Sequence, residues 1–337
     1  MQLQQNVSLK PYNTFGLDVP AGHFLEVTDE SQLPEITDDS SLPAERHVLG
    51  GGSNVLLTKP VSGILLHNKI KGINRINEDA DHVWLQIGAG EKWHDLVIYA
   101  INNDLAGLEN LSLIPGTVGA SPMQNIGAYG VEAKETIESV TAWHWQDKAF
   151  TTYSNEECQF GYRDSIFKNS LKDKVFITSV TFRLNKVPSF NTSYGAIEEE
   201  LKEMGVRELS IRAISEAVIA IRTSKLPNPS VIGNAGSFFK NPTIPTSTFQ
   251  QLKNQHPEIP SYPVDEQTVK VPAGWLIERC SWKGFRKGDA GVHTKQALVL
   301  VNYGHAKGED IWLLSEDIIQ SVQEKFGITL EREVQLW

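Results

Sequence analysis

The sequence predicts an α+β protein, on three observations. Short strand-like runs bounded by glycine turns fill the first third of the chain. Apolar residues at helical spacing recur near residues 93–101, 211–222 and 311–326. Further strand-like runs lie between those segments, near 138–145, 175–184 and 297–301.

Taken in order, His47-Val48-Leu49 leads into Gly50-Gly51-Gly52-Ser53-Asn54, and Val55-Leu56-Leu57 follows. Gly63-Ile64-Leu65-Leu66 and Val83-Trp84-Leu85-Gln86-Ile87 read as strands, the second alternating at period two. After Gly88-Ala89-Gly90, residues Trp93, Leu96, Val97, Ala100 and Ile101 share one helical face. Residues 107–130, GLENLSLIPGTVGASPMQNIGAYG, then change character, with seven glycines and prolines threaded through small residues. Loops of that length without a function are uncommon. Ile214, Ala217, Val218 and Ile221 line a helix from about 211 to 222, and Leu226-Pro227-Asn228-Pro229 interrupts the chain after it. The main domain boundary is placed at residue 215, within about ten residues. Beyond it, Ala297-Leu298-Val299-Leu300-Val301 reads as a buried strand, and Ile311, Leu314, Ile318, Val322 and Phe326 form the stripe of a last helix.

At 337 residues the chain exceeds one ordinary core and fits two or three domains. A formal net charge of -10 argues against a broad nucleic-acid surface, though a pocket can still be locally basic. Two cysteines, Cys158 and Cys280, make neither a metal-binding spacing nor a disulfide framework, which suits a reducing compartment. The opening MQLQQNVSLKPYNTF has no signal-peptide pattern, and no run approaches the ~20 apolar residues of a membrane span. The expectation is a cytoplasmic protein without membrane, nucleic-acid or metal partners.

Glycine loops hold phosphates by removing side chains, so that backbone N–H groups converge on the oxygens. Gly50-Gly51-Gly52-Ser53-Asn54 has that chemistry, and by itself it is equally a tight turn between strands. It is not a Gly-x-Gly-x-x-Gly fingerprint, because the third glycine position falls on Val55 or Leu56, and no Gly-Lys pair offers a Walker A motif. Pro115-Gly116-Thr117-Val118-Gly119-Ala120 and Asn125-Ile126-Gly127-Ala128-Tyr129-Gly130 add further small-residue turns. Several such runs in one domain suggest a long ligand held along its length, such as the diphosphate and flat ring of FAD. A glycine-rich β-domain without a ligand is the plainer alternative.

These residues carry a family resemblance. From LKPYNTFG at 9–16 nearly to the C-terminus, through LGGGSNVL, GLENLSLIPGTVGASPMQNIGAYG, FGYRDSIFK, RTSKLPNP, GNAGSFFKNP, PAGWLIERC and LEREV, the chain resembles the type I UDP-N-acetylenolpyruvoylglucosamine reductases. The resemblance implies an FAD-binding domain of the vanillyl-alcohol-oxidase/p-cresol methylhydroxylase type in two subdomains, 1–66 and 67–215. A C-terminal α+β substrate domain, 216–337, follows. It also implies the reaction: NADPH reduces FAD, and the reduced flavin reduces the enolpyruvyl ether of UDP-N-acetylglucosamine to UDP-N-acetylmuramate for peptidoglycan synthesis. The two substrates use one cleft in turn, and the enzyme is expected to be a monomer. Gly50, Gly51, Gly52, Ser53, Asn54, Pro115, Gly116, Thr117, Gly119, Ala120, Asn125, Ile126 and Gly127 become the FAD contacts. Neither His nor Cys stands in the glycine loop, so non-covalent FAD is expected.

Saturating an enol ether needs a hydride at one carbon, a proton at the other, and positive charge near the carboxylate. Ser237 matches the family's proton donor, although a serine after glycine is otherwise a turn residue. Arg163 matches the catalytic arginine, whose forked donors suit a carboxylate or enolate. Its alternative is a structural pair with Asp164. Glu333 matches the catalytic glutamate, with a solvated surface charge as its alternative and Glu331 as the neighbouring register. Tyr129, Tyr162, Tyr194, Arg222, Lys225, Asn241, Tyr262 and Gln296 match substrate contacts, Tyr194 as part of a lid over the nucleotide. Two departures stand out. Gln335 replaces the basic residue that often follows the Glu-Val ending, ahead of a shorter tail. Gly195-Ala196-Ile197 replaces an acidic Gly-Asp-Leu beside the lid tyrosine.

Overall fold

Strands β1 (Pro20–Val27), β2 (Arg46–Leu49) and β3 (Val61–Asn68) pair in parallel. Successive residues Ile64, Leu65 and Leu66 are all fully buried, so both faces of this sheet are covered, as parallel strands require. The segment Gln4–Ser8 extends the sheet beside β1. A short helix, Gln32–Asp38, lays Leu33 and Ile36 against Leu25, Val27, Ile64 and Leu66. The computed structural model describes residues 2–337.

A second sheet is antiparallel. It contains β4 (Ile73–Glu78), β5 (His82–Gly88), β6 (Ile137–His144), β7 (Ala149–Ser154) and β8 (Val175–Asn185), in the order β7-β6-β8-β5-β4. The alternation along β5 has its expected meaning: Val83, Leu85 and Ile87 are buried, and His82, Trp84 and Gln86 are partly open. Helix α1 (Trp93–Asn102) packs its stripe of Trp93, Leu96, Val97, Ala100 and Ile101 on this sheet, with Trp93 edge-on to Phe182 at 5.9 Å. Strands β4 and β7 escape the sequence reading because they are edges with mostly exposed, polar residues and so lack an apolar period. Helix α2 (Ile211–Lys225) and the helix Gly195–Glu203 bury Ile214, Ala217, Val218 and Ile221 against Ile197 and Leu201.

The chain divides into two compact units: 1–7, 21–52 and 61–224 form the first, and 8–20, 53–60 and 225–337 the second. The division after Ser224 lies within ten residues of the boundary placed at 215, at the C-terminal end of α2. A helix whose apolar stripe continues to Ile221 packs as one piece, so the proline-rich break beyond it is the natural seam. The expected subdivision after residue 66 falls inside β3, whose pairing runs on to Asn68. That 8–20 and 53–60 pack with the C-terminal unit was not legible in composition or period.

In the second unit, β9 (Gly233–Ser237), β10 (Arg286–Lys287), β11 (Ala290–Val292) and β12 (Val299–Asn302) form a sheet ordered β9-β12-β11-β10. Helix α3 (Gly308–Phe326) buries Ile311, Leu314, Ile318, Val322 and Phe326 and ends at Gly327 in the left-handed conformation. The strand expected over 297–301 starts only at Val299. Ala297 and Leu298 lie in a turn closed by the Val299 amide on the Gln296 carbonyl, which reverses the chain from β11 into β12. Among the described residues no helix is long and apolar enough to cross a membrane.

Candidate active site

The two glycine-rich segments of the first unit meet. A Cβ added to Gly51 would come 2.9 Å from the Gly116 Cα, and one added to Gly50 would strike the Thr117 side chain. Main chain therefore faces main chain, and bare backbone of this kind fits the diphosphate of a dinucleotide. The start of α1 fastens the second segment. Trp93 donates from Nε1 to the Leu111 carbonyl at 2.8 Å and from its amide to Gly116 at 3.1 Å. Val118 and Gly119 donate to Glu91 and Ala89, Ala120 donates to Thr117, and Ile126 donates to Ser121. The amides of Gly119, Ala120 and Ile126, all expected at the cofactor, thus already serve protein carbonyls.

Two histidines absent from the sequence-based candidates hold these loops. His94 Nδ1 accepts from the Leu113 amide at 3.0 Å, where Leu113 is left-handed at φ 58°. Burial pulls the His94 imidazole below its ordinary value, with Arg222 adding to the effect and Asp95 opposing it. In β3, His67 donates to the Gly50 carbonyl and places Nδ1 3.3 Å from Glu26. Burial and then Lys69 lower its pKa, while Glu26 and Gly50 raise it. The only signal in the sequence was a polar ring inside an otherwise apolar strand, or at a helix start.

Arg163 sits at the tip of a tight hairpin in which Gly161 and Asp164 exchange backbone hydrogen bonds. Its φ is 55°. Nη2 donates to the Gly127 carbonyl at 2.6 Å and Nη1 to that of Asn125 at 3.4 Å, and the guanidinium lies 5.4 Å from the Tyr162 ring. Asp164, the expected structural partner, accepts from Asn169 at 2.8 Å. The side chain of Asn125 is fully buried and bonds to Gly161, Glu132 and the amide of Lys134.

Three expected substrate residues from distant segments also cluster in this unit. Tyr129 meets Tyr194 edge-on at 5.4 Å and shares a hydrogen bond with Arg222. Tyr194 is the extended residue just before the helix Gly195–Glu203, which Ile197 and Leu201 anchor. Burial raises the Tyr129 hydroxyl pKa and lowers that of Arg222, each resisted by the other. Arg222 Nε is buried without a hydrogen-bond partner, an orphan donor that suits an anionic ligand.

In the second unit, Ser237 ends β9 beside a bulge: the register slips between Asn234 and Ser237, and Gly236 is left-handed at φ 70°. Asn234 Oδ1 holds the Gly236 amide at 3.0 Å, and Phe238 and Phe239 are buried just beyond, so Ser237 is exposed on a rigid base. The Glu333 amide donates to the Phe238 carbonyl at 2.9 Å, beside an isolated bridge between Phe239 and Arg332, which holds the Glu333 backbone next to the residue that follows Ser237. Asn54 Nδ2 donates to the Glu333 carbonyl at 3.2 Å, so its side chain supports the glutamate. Glu331 pairs with Lys240, and Arg332 donates from Nε to Ser315 at 2.8 Å over the Trp312 ring. Asn241 accepts from the Ala273 amide at 2.9 Å, and Gln296 Oε1 lies against Gly274, so both meet the first turn of the helix Ala273–Arg279. Lys225 and Tyr262 are exposed.

Residues 23–152, which contain both glycine-lined loops, match the FAD binding domain family, and the chain is an FAD-dependent oxidoreductase. Residues 228–337 match the C-terminal domain of UDP-N-acetylenolpyruvoylglucosamine reductase. A Flavobacterium johnsoniae protein of that name is 50% identical over 99% of both chains, and one from Amoebophilus asiaticus is 50% identical over 100% of this chain and 99% of its own. The crystal structure of the reductase from Thermus caldophilus covers 100% of this chain and 99% of its own, with a TM-score of 0.68 at 27% identity. The chain belongs to the UDP-N-acetylenolpyruvoylglucosamine reductase family.

Proposed function

We propose that this chain reduces the enolpyruvyl ether of UDP-N-acetylglucosamine to UDP-N-acetylmuramate, with NADPH as the source of electrons. The observation that carries the reading is the family membership over the full chain, together with the placement of Arg163, Ser237 and Glu333 on rigid local supports. When bound, FAD supplies the hydride.

Because the Gly119, Ala120 and Ile126 amides serve protein carbonyls, the diphosphate contacts fall to the Gly50-Gly51 and Gly116-Thr117 peptides, where the loops touch. Gly52, Ser53, Pro115 and Gly127 complete the backbone around the cofactor. Non-covalent binding is assigned because the glycine loop itself offers neither a His nor a Cys for a flavin link. Arg163, steadied by two carbonyls, meets the substrate carboxylate and the negative charge that grows beside it in the transition state. Ser237 delivers the proton to the adjacent carbon. Its hydroxyl is a weak acid, so donation depends on close approach and on a strongly basic carbon. Glu333 stabilises that proton transfer, since its neighbours Glu331 and Arg332 are engaged in structural pairs.

Arg222, with Tyr129 and Tyr194, receives the anionic part of the nucleotide, and its orphan Nε is the donor left for it. Tyr162, Lys225, Asn241, Tyr262 and Gln296 are assigned to the remaining substrate contacts. A monomeric, cytoplasmic enzyme fits this assignment. The test is an anaerobic absorption spectrum of the FAD-loaded protein, with NADPH added first and the enolpyruvyl nucleotide second. Bleaching followed by recovery of the oxidised spectrum on nucleotide addition is expected. Recovery with oxygen alone and indifference to the nucleotide would make the protein an oxidase.

A further inference from the structure

We propose that Asn125 is a positioning residue for Arg163, acting through the hairpin that carries the arginine. The inference rests on the role assigned to Arg163 above. Asn125 is completely buried, and its amide is engaged at both ends. Nδ2 donates to the Gly161 carbonyl at 3.0 Å and to Glu132 Oε2 at 3.1 Å, while Oδ1 accepts from the Lys134 amide at 3.0 Å. Glu132 is itself held by Lys134 Nζ at 2.9 Å.

Gly161 is one of the two residues that close the Arg163 hairpin, so this bond fixes the base from which the arginine projects. The backbone of Asn125 contributes separately. At φ 44° it is left-handed, a conformation that asparagine tolerates better than most residues. That turn directs the carbonyls of Asn125 and Gly127 at the guanidinium, where Nη1 and Nη2 donate to them. The backbone mount of Arg163 therefore traces to the Asn125 side-chain amide, and the acceptors of its guanidinium to the turn that the Asn125 backbone makes. Such supporting shells decide whether a catalytic cation sits where charge develops, and an error of about 1 Å costs on the order of 10²-fold in rate.

The test uses Asn125→Gly, which keeps the left-handed backbone and removes only the side-chain bonds. FAD loading and flavin reduction by NADPH are expected to stay within about 3-fold of the unaltered enzyme. Flavin reoxidation by the enolpyruvyl nucleotide should slow by about 10–100-fold, as for a misplaced electrostatic donor. Added to Arg163→Lys, Asn125→Gly should cost no more than about a further 3-fold, because the two residues act as one unit. Glu132→Gln, a milder loosening of the same amide, should slow the same half-reaction by a few-fold and show the same non-additivity, which covers the case in which Asn125→Gly fails to fold.

Independent, multiplying losses in the double variant would overturn the proposal. So would loss of FAD from an otherwise folded Asn125→Gly, which would make Asn125 a cofactor residue. Slow Arg163→Lys beside normal Asn125→Gly would overturn the positioning role alone. Normal Arg163→Lys would remove both it and the assignment of Arg163 on which it stands.

Discussion

Around Gly51 and Gly116 the chain has removed its side chains, whereas around Ser237 and Glu333 it has kept them and shaped the backbone to present them. In the first region two loops approach so closely that an added Cβ would come 2.9 Å from a neighbouring Cα. In the second, a bulge at Gly236 turns one hydroxyl outward, and a Cβ there would meet nothing within 4 Å. Holding a polyanion needs many backbone donors and tolerates no added bulk. Delivering one proton needs a single well-mounted side chain and tolerates space around it.

The sharpest break in that comparison comes from Ser237→Ala. The substrate half-reaction should fall by about 10²–10⁴-fold, the usual loss of a positioned proton donor, while NADPH still bleaches the flavin. Rapid-mixing absorbance separates the two steps, and turnover within a few-fold of normal would remove Ser237 from the chemistry. Gly51→Val tests the other region. Overpacking of about 1–3 kcal/mol should weaken FAD by about 10–100-fold, read by flavin fluorescence during titration.

His94 makes a prediction of smaller size, in pH. Its folded pKa is lowered, so the neutral ring that accepts from Leu113 is favoured by folding. The stabilisation is complete above the ordinary histidine value and is lost as pH falls through the lower folded value. The flavin-release temperature should therefore drop on the acid side. His94→Asn, which keeps an acceptor and loses the titration, should flatten that profile, whereas His94→Ala should lower it at neutral pH and converge with the unaltered protein on the acid side. A profile unchanged in both variants would show that the His94–Leu113 bond does not hold the loop. The least effect is expected for Gly236→Ala, where left-handed strain costs about 1–2 kcal/mol of stability. Thermal melting should fall slightly with FAD loading intact. Failure to load FAD would show that the Gly236 bulge also supports the cofactor.

Much of the fold followed from period and burial. The stripes of α1, α2 and α3 and the alternation of β5 need only local spacing, and all are buried as that spacing implies. Strands β4 and β7 were illegible because an exposed edge has no apolar face to announce it. Glycine composition also located the loops around Gly51 and Gly116, since a backbone-lined site is visible as missing side chains. Ser237, Arg163 and Glu333 carry no such local mark: without the longer motifs around them, a serine after glycine, an arginine before aspartate and a glutamate near the end read as turn, ion pair and surface charge.

By itself, then, the sequence determined the main helices and inner strands, the glycine-rich loops and the family, because these depend on residue type and spacing along the chain. Only the tertiary structure decided that Asn125 bonds to the Arg163 hairpin, that Asn54 supports Glu333, that His94 and His67 hold the glycine loops, and that 8–20 and 53–60 pack with the C-terminal unit. Each of those joins groups brought together by folding, and a hydrogen bond depends on distance and direction in space, which neither composition nor local period encodes.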